Sequence, residues 1–426
     1  MTSILFRVSA ALLLLVTTIK AGAQTDTVRV MVYNLLNYGN NANPYASKDP
    51  RLTTILQHVQ PDILGVNEVA NNAAHTQNIL TNVLGTGWSK GTFINTNNEV
   101  QTNMLFWKSN IFGLKSEQSI CSNLRDIIAY KLYYKDTITV PHDTVYLTVI
   151  VAHLKASQGS QEEADRAAET QAVASYLNSL GEQGNYLFMG DLNLYTDTEQ
   201  AYQNLINSPN PFSKLYDPIN KPGAWHDDGT FADIHTQSTR TEANMGDGGV
   251  TGGLDDRFDF QLVSGYIMNN TKGVRYIPNT YTTVGQDGLH FNDSLTAAPT
   301  NNSAPPNVIQ ALFRMSDHLP VYADYRVHAS SPVSAATIAG IDYTTTVVNP
   351  MQNGDLNVVF DSRLAGERVQ VSLYSIDGRT MYTTHHTISP SGAAALFHVD
   401  YLSTGMYFLR IQSATGYTYS GKILNN

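Results

Sequence analysis

The segment Tyr146–Asn193, YLTVIVAHLKASQGSQEEADRAAETQAVASYLNSLGEQGNYLFMGDLN, decides the fold class. It opens with a β-branched apolar run, Tyr146–Ala152, which predicts a buried strand. Gln161–Leu180 then repeats apolar residues at intervals of three to five and carries acids at its start, as an amphipathic helix does. A second apolar run, Tyr186–Met189, predicts another strand. The succession of strand, helix and strand indicates an α/β layered domain.

The same alternation extends in both directions and predicts an α/β domain of about 300 residues, from Thr27 to about His328. A second helix is predicted at Asp49–Val59. Further strands are predicted at Val28–Tyr33, Ile63–Val66, Met104–Trp107, Phe258–Val263 and Val321–Tyr325.

Two long irregular stretches, Thr239–Gly253 and Tyr281–Val308, interrupt the predicted domain. The first is rich in glycine but contains no Walker lysine, so we expect a mobile loop and not a phosphate cradle. Both precede motifs assigned below to the active site, and we expect them to shape substrate access.

Composition excludes several classes of protein. A chain of 426 residues predicts two or more folding units, and 42% hydrophobic residues argue against global disorder. The net charge of −10 excludes a histone-like protein that holds nucleic acid by positive charge, but not an enzyme that meets phosphate through a metal ion. The single cysteine, Cys121, excludes an intrachain disulfide and a multi-cysteine metal site, and we expect a buried structural thiol.

Residues 1–23 have the pattern of a secretory signal peptide. Arg7 supplies the positive start, Ala10–Thr18 the apolar stretch and Ala21-Gly22-Ala23 the cleavage site. The alternative is a membrane anchor, but the apolar stretch has about half of the roughly 20 residues that span a bilayer. We therefore expect export with cleavage. The leader contains two bases and no acid, so the chain without it carries a net charge of −12.

The C-terminal part has a different character. Residues 329–346 are small and polar, as in a linker. Residues 347–426 hold five acids and five bases, and they alternate polar and apolar residues in short runs. We predict strands at Leu356–Phe360, Val369–Tyr374, Met381–Thr384 and Tyr407–Ile411. Asp377-Gly378 predicts a type I′ hairpin turn, and together these features predict a small antiparallel β-sandwich.

Polar side chains stand at the ends of the predicted strands of the larger domain. They are Asn34, Glu68, His153, Asp191, Asn193, Asp317 and His318. Each alone is more often a turn or helix cap. Collected at one rim of a sheet, the three acids would repel one another unless a cation were bound. Oxygen ligands favour a hard divalent ion, and we predict Mg²⁺, with Mn²⁺ or Ca²⁺ as alternatives.

These residues carry a resemblance to a known family. The motifs, in chain order, are Asn34, DILGVNEV around Glu68, HLKAS from His153, GDLN with Asp191 and Asn193, RFDF at Arg257–Phe260 and SDHLP at Ser316–Pro320. Together they resemble the endonuclease/exonuclease/phosphatase superfamily, which includes nucleases, sphingomyelinases and inositol-phosphate phosphatases. The resemblance covers roughly residues 27–328. It implies a four-layered α/β sandwich, two β-sheets flanked by helices, with the active site at one edge.

The resemblance also implies roles near the metal and the attacking water. Glu68 would be the principal metal ligand, with Asn34 beside it directly or through water. Asp317 would help to bind the metal or position the site. Asp191 would orient or deprotonate the water, and Asn193 would hold that water or a phosphate oxygen.

The remaining implied roles concern the phosphate. His318 would donate to a phosphate oxygen, with Asp259 behind it, and His153 would be a second phosphate-facing histidine. Asp256 is an alternative partner, because Asp256-Arg257-Phe258 also matches a pattern of the deoxyribonuclease I branch; counting back from Ser264 favours Asp259. Arg125 matches a phosphate-contacting arginine of the nucleases, with a surface ion pair as the alternative.

The tail resembles the C-terminal sorting domains of the type IX secretion system of Bacteroidetes. The matching features are Asn349-Pro350, the hairpin Val371–Arg379, LSTGMYFL at Leu402–Leu409 and GKIL at Gly421–Leu424. The resemblance implies contact with the secretion machinery, passage across the outer membrane and removal of the tail. The enzyme would then be extracellular or attached to the outer cell surface. The alternative is a carbohydrate-binding or adhesive β-module.

We therefore expect a secreted, divalent-metal-dependent phosphodiester hydrolase, an endonuclease acting on extracellular nucleic acid. The net charge of −12 and the lack of a Lys/Arg cluster keep a lipid substrate, as for a sphingomyelinase, or a small phosphate ester as the alternative. The polar character of the two long loops counts against membrane contact. A non-catalytic surface module is a further alternative. It would lack a metal ligand or a catalytic histidine, but every motif position is filled in this sequence.

Overall fold

The computed structural model describes residues 24–136, 144–242, 245–329, 345–351, 354–389, 394–413 and 417–425. These residues form two compact units, 24–329 and 345–425. The predicted signal peptide, residues 1–23, lies outside the described residues, as do residues 330–344 of the predicted linker. None of the helices in the described ranges is long and apolar enough to cross a membrane.

The larger unit is built from strands and helices that alternate along the chain. Its strands are β1 Gln24–Tyr38, β2 Ile63–Ala70, β3 Trp88–Lys90, β4 Gln101–Lys108, β5 Phe112–Cys121, β6 Ile127–Tyr134, β7 Tyr146–His153, β8 Tyr186–Asp191, β9 Leu215–Tyr216, β10 Asp259–Ser264, β11 Val274–Tyr276, β12 Thr282–Thr283 and β13 Val321–Ala329. Its helices are α1 Tyr45–Val59, α2 Ala73–Asn78, α3 Ser160–Ser179, α4 Gln200–Ile206, α5 Gly265–Asn269 and α6 Pro306–Met315. A π-helical segment, Ile79–Leu84, follows α2, and Gly229–Ile234 is a 3₁₀ helix.

The strands form two sheets. The first has the order β11-β13-β1-β2-β4-β3, with β12 paired to β13. The second has the order β5-β6-β7-β8-β10-β9. Within each sheet one central pair is parallel, β1 with β2 and β7 with β8, and the other pairs are antiparallel. The parallel pair β7 and β8 is joined through α3, so the segment that decides the fold class forms a βαβ unit.

Three layers of buried apolar side chains hold the sheets and helices together. The layer between the two sheets includes Val30, Leu105, Val149, Leu187 and Val263. A second layer joins the outer face of the first sheet to α1 and α6, and a third joins the outer face of the second sheet to α3 and α4. The result is the four-layered sandwich that the resemblance implied.

Every strand and helix predicted in this unit is present, with ends that differ by a few residues. β10 begins at Asp259, so Phe258 precedes it. The prediction that Tyr281–Val308 is irregular is wrong at the end of that stretch, because α6 begins at Pro306. Proline at the first turn of a helix loses no intrahelical hydrogen bond, so the proline pair marks a helix start. Strands β3, β5, β6, β9, β11 and β12 were not predicted; β5 is only partly buried, and its polar residues interrupt the apolar run by which a strand is recognised.

The smaller unit contains two antiparallel sheets. Its strands are β14 Thr346–Val347, β15 Asp355–Val359, β16 Arg368–Tyr374, β17 Thr380–Thr387, β18 Ala394–His398, β19 Gly405–Ser413 and β20 Thr418–Asn425. They pair in the orders β14-β15-β18 and β17-β16-β19-β20 around one apolar core, as predicted for a small β-sandwich. The predicted I′ geometry at Asp377-Gly378 is wrong, because only Gly378 of the two has a positive φ, 83°.

Candidate active site

A β-bulge places Glu68 at the edge of the first sheet. Asn34 pairs with Asn67, but the next pair of β1 and β2 is Tyr38 with Val69. Three residues of β1 therefore oppose Glu68 alone. Glu68 itself has a φ of 54°, and Asn37 opposite has 53°. Such left-handed conformations cost about 1–3 kcal/mol each and cluster at functional sites.

Asn34 joins acids from the two sheets. Its Nδ2 donates to Glu68 Oε1 at 3.1 Å and to Asp191 Oδ2 at 3.0 Å, while its Oδ1 accepts from the backbone N–H of Leu36 at 3.0 Å. Asn34 is fully buried. It therefore turns its nitrogen, and not the oxygen that a metal would need, toward the carboxylates. In this arrangement Asn34 is a donor that bridges the two acids.

Strand register explains why three side chains of the second sheet meet. Asp191 at the end of β8 pairs with His153 of β7 on one side and with Asp259 of β10 on the other. The three residues form one row across adjacent strands. His153 Nε2 lies 3.4 Å from Asp191 Oδ2 and 4.0 Å from Glu68 Oε1. The strand-end residues thus come from two sheets, and not from the rim of one sheet as predicted.

His318, from the first sheet, packs against this row of three residues. It lies just before β13, and its Nδ1 is 2.7 Å from Asp259 Oδ2. Its Nε2 is 3.5 Å from Asp191 Oδ2. Asp256 instead lies 2.7 Å from His226 Nδ1, so Asp259 is the carboxylate that holds His318.

The two histidines are tuned in opposite directions. Burial lowers the pKa of His318, but the charges of Asp259 and Asp191 outweigh burial and leave it well above its ordinary value. Burial, with repulsion from Arg125 and His318, holds the pKa of His153 well below its ordinary value. Near neutral pH the site therefore offers one imidazolium donor and one neutral imidazole.

Asp191 is also held by residues around it. Its backbone N–H donates to Asn67 Oδ1 at 3.0 Å, and Asn67 Nδ2 donates to the carbonyl of Ala152 at 2.9 Å. The backbone N–H of Asn193 donates to Asp191 Oδ1 at 3.2 Å, while its side chain donates to the carbonyl of Leu154. Asn193 therefore stands next to Asp191, as the sequence predicted. Asn67, which directly precedes Glu68, ties the two sheets together behind Asp191.

Asp317 faces a loop. Its Oδ2 accepts from the backbone N–H of Val250 at 2.7 Å. Val250 belongs to the stretch Thr239–Gly253, which is also held by an ion pair of Arg240 with Asp247 at 2.6 Å. Residues 243–244 lie outside the described residues. The contact of Asp317 thus anchors the glycine-rich loop to the turn that carries His318.

Glu68, His153 and Asp191 form a group that could hold a cation, since their ligand atoms all lie within 4.8 Å of one another. Burial, followed by the charge of Asp317, raises the pKa of Glu68, and burial raises that of Asp191 to about 7. A divalent cation would relieve both effects, and two carboxylates with water suit Mg²⁺. The imidazole of His153 is better suited to Mn²⁺. The donor set therefore fits a divalent metal.

Three residues in contact with the site had no motif to mark them. The side-chain amide of Gln237 lies 2.6 Å from His318 Nε2, on the side of the ring away from Asp259, and it must present its oxygen there when His318 is an imidazolium, because both ring nitrogens then donate. Gln101 contacts Arg125, whose Nε and Nη1 both donate to protein acceptors. His226 lies with Asp255 and Asp256 in a second cluster of ligand atoms within 4.8 Å. No local sequence signal distinguishes these residues.

Both units of the chain are similar to known protein families. A model of the Endonuclease/Exonuclease/phosphatase family matches residues 31–318, and a model of the Secretion system C-terminal sorting domain matches residues 349–426. No curated protein matches the chain. Solved structures that resemble it include endonuclease/exonuclease/phosphatase family proteins of Bacteroides thetaiotaomicron and Bacteroides vulgatus. They are 13% and 14% identical, with TM-scores of 0.46 and 0.47, and each comparison covers 71% of this chain and 99% of the other. The human Nocturnin catalytic domain with bound sulfate is 18% identical, with a TM-score of 0.44, over 71% of this chain and 96% of that one.

Proposed function

Because the chain belongs to the endonuclease/exonuclease/phosphatase family and carries a C-terminal sorting domain, we propose that it is an exported, divalent-metal-dependent phosphodiesterase that cleaves extracellular nucleic acid. One observation carries the proposal. An imidazolium, His318, is held by Asp259 and faces Asp191, whose Oδ2 also meets Asn34 and the neutral His153. Export would use the leader, residues 1–23, and the sorting domain.

The proposed chemistry assigns a separate task to each side chain. Asp191 accepts a proton from the attacking water, since its Oδ2 lies at the centre of the site, facing Asn34, His153 and His318. Asn193 orients that water, and the imidazolium of His318 donates to a nonbridging phosphate oxygen as charge builds there. A divalent cation held by Glu68, with Asp191 and His153 in reach, would neutralise phosphate charge. We retain Arg125 as a proposed phosphate contact through the guanidinium nitrogen Nη2.

Chelation is expected to abolish hydrolysis, and Mg²⁺ or Mn²⁺ to restore it. The test uses the full-length protein on plasmid DNA, with bis-p-nitrophenyl phosphate and sphingomyelin assayed in parallel. Metal-dependent nicking of the plasmid would support the nuclease proposal. Cleavage of only the small ester or the lipid would move the substrate to that class and keep the mechanism. Full activity in EDTA would remove the metal from the proposal.

Mg²⁺ is also expected to raise the melting temperature more at about pH 8 than at about pH 5. The folded-state pKa values of Glu68 and Asp191 lie above those of an unfolded chain. The stability that their protonation contributes is therefore complete at acid pH and is lost as the pH rises through their folded-state pKa values, about 7 for Asp191. A bound cation replaces the protons, so its stabilising effect grows over the same range.

Thermal unfolding followed by circular dichroism measures this effect. At a hundredfold excess over its dissociation constant, the cation should stabilise the protein by about 2.7 kcal/mol at the higher pH. A Glu68→Gln variant is the control, because it removes one of the two carboxylates and should reduce the shift. Equal rises in melting temperature at both pH values would show that the cation does not bind through these two acids.

A further inference from the structure

A chain of hydrogen bonds starts at the second carboxylate oxygen of Glu68. The backbone N–H of Asn37 donates to Glu68 Oε2 at 3.2 Å. Asn37 Oδ1 in turn accepts from Gln101 Nε2 at 2.8 Å. Gln101 lies at the start of β4, in the same sheet as Glu68 and Asn37, and is 9% exposed. Its amide nitrogen therefore supports the peptide that holds Glu68.

The same amide continues the chain into the second sheet. Gln101 Oε1 accepts from Arg125 Nε at 3.2 Å. Arg125 Nη1 donates to the carbonyls of His153 at 3.3 Å and Leu154 at 3.1 Å. Arg125 lies in the loop that joins β5 to β6, and His153 ends β7, so both are carried by the strands of the second sheet. Gln101 thus links the backbone on the Glu68 side of the site to the backbone on the His153 side.

Both halves of the glutamine amide are used. Its N–H donates to the first sheet, and its oxygen accepts from the second. Leucine would fit the position but could do neither, and glutamate could not donate to Asn37 Oδ1. The link also acts on a backbone in an uncommon conformation, since the φ of Asn37 is 53°. A regular strand would not direct this N–H toward Glu68 in the same way.

We propose that Gln101 is a positioning residue of the cation site. It holds Glu68 and His153 at the separation found between their facing atoms, 4.0 Å, by acting on the backbone of each. This inference rests on the proposed metal dependence and adds to it. Outer-shell residues that orient metal ligands typically contribute 10–100-fold to metal affinity.

The test measures Mn²⁺ binding to the full-length protein by calorimetry, without substrate. The Gln101→Leu variant is expected to bind Mn²⁺ about 10–100-fold more weakly than the native protein. At saturating Mn²⁺ its kcat should recover, because Gln101 does not touch the reacting atoms. An Mn²⁺ affinity within about twofold of the native value, in a variant with native circular dichroism, would overturn the inference.

Two controls separate this result from loss of stability and from failure of the proposed function. Gln261 also bonds across the sheets, to the carbonyls of Val30 and Val321, but does not contact the site. Gln261→Leu should therefore lower stability and leave Mn²⁺ affinity unchanged. Glu68→Gln should weaken Mn²⁺ binding if the site is a metal site. Native affinity in that variant would overturn the proposed function, whereas weak binding there with native affinity in Gln101→Leu would overturn the inference alone.

The Asn37→Gly variant keeps the test decisive if Gln101→Leu folds poorly, and where both fold a double-mutant cycle tests whether the two side chains act together. Asn37→Gly retains the backbone N–H and tolerates the positive φ, but lacks the oxygen that Gln101 holds. It should weaken Mn²⁺ binding by a similar factor. Because the two side chains act through one hydrogen bond, the double variant should bind about as well as either single one. Fully additive losses would show that they act independently and would contradict the proposal.

Discussion

Replacement of His318 by alanine is expected to lower kcat for phosphodiester hydrolysis by about 10³-fold and to leave the fold intact. The imidazole is held between Asp259 at 2.7 Å and Asp191 at 3.5 Å, and both acids favour its charged form. Alanine removes the donor that stabilises charge on the phosphate oxygen in the transition state. The loss should therefore appear in kcat more than in KM. Steady-state kinetics on bis-p-nitrophenyl phosphate measure both constants.

The protein contains a matched control in a second buried histidine–carboxylate pair. His290 Nδ1 lies 2.8 Å from Asp287 Oδ1, and the side chain of His290 is also fully buried. Its Nε2 faces the carbonyls of Ala297 and Pro299, so the ring holds a loop together. His290→Ala should lower the melting temperature and preserve kcat. If the His318 variant retained more than about a tenth of native kcat, His318 would not be the transition-state donor.

The sequence predicted the strands and their polar ends because both signals are local. Apolar β-branched runs mark β1, β7 and β8, and the residue that follows or ends each run sits at the sheet edge. Counting residues along the chain could also decide between Asp256 and Asp259 as the partner of His318. Counting back from Ser264 favours Asp259, which begins β10 and contacts His318, whereas Asp256 precedes the strand and contacts His226.

What the sequence could not predict depends on contacts across the sheets. The orientation of Asn34, with its nitrogen toward Glu68 and Asp191, follows from the Leu36 N–H that occupies its oxygen. The contact of Asp317 with Val250 joins residues 67 positions apart. Gln101 lies at a strand start, outside every motif that marked the site. Such partners are fixed only once the register of both sheets is set.

Gly65 is another residue whose role could not be predicted from the sequence alone. A side-chain carbon there would lie 2.5 Å from Met189 Cε, between the two sheets. The sequence shows only a glycine within an apolar strand, which suggests a bulge or a close approach without telling which. The bulge lies three residues later, at Glu68, and the close approach is at Gly65. Close packing of β2 against β8 brings Glu68 and Asp191 to the same edge.

Replacement of Asp191 by asparagine is expected to lower kcat by about 10³–10⁴-fold, the largest effect of any single change in the site. Asp191 is the side chain that every other group approaches, since Asn34, His153 and His318 all face its Oδ2. Asparagine keeps the size but cannot accept a proton from water. It also removes one of the charges that keep the pKa of His318 high, so the base and part of the acid are lost together.

The same Asp191→Asn variant should be more stable than the native protein when metal is absent. Burial raises the pKa of Asp191 to about 7, so above that pH its charge opposes folding, and a neutral amide does not. We expect the melting temperature in EDTA at about pH 8 to rise by about 2–4 °C. Asp256→Asn is the matched control, because Asp256 is also buried, also has a pKa raised by burial to about 7 and also lies beside a histidine, but is outside the proposed machinery. It should keep kcat. If Asp191→Asn loses activity and gains stability, while Asp256→Asn keeps its activity, the charge of Asp191 is retained for function at a cost in stability. If Asp191→Asn loses both activity and stability, Asp191 serves the fold.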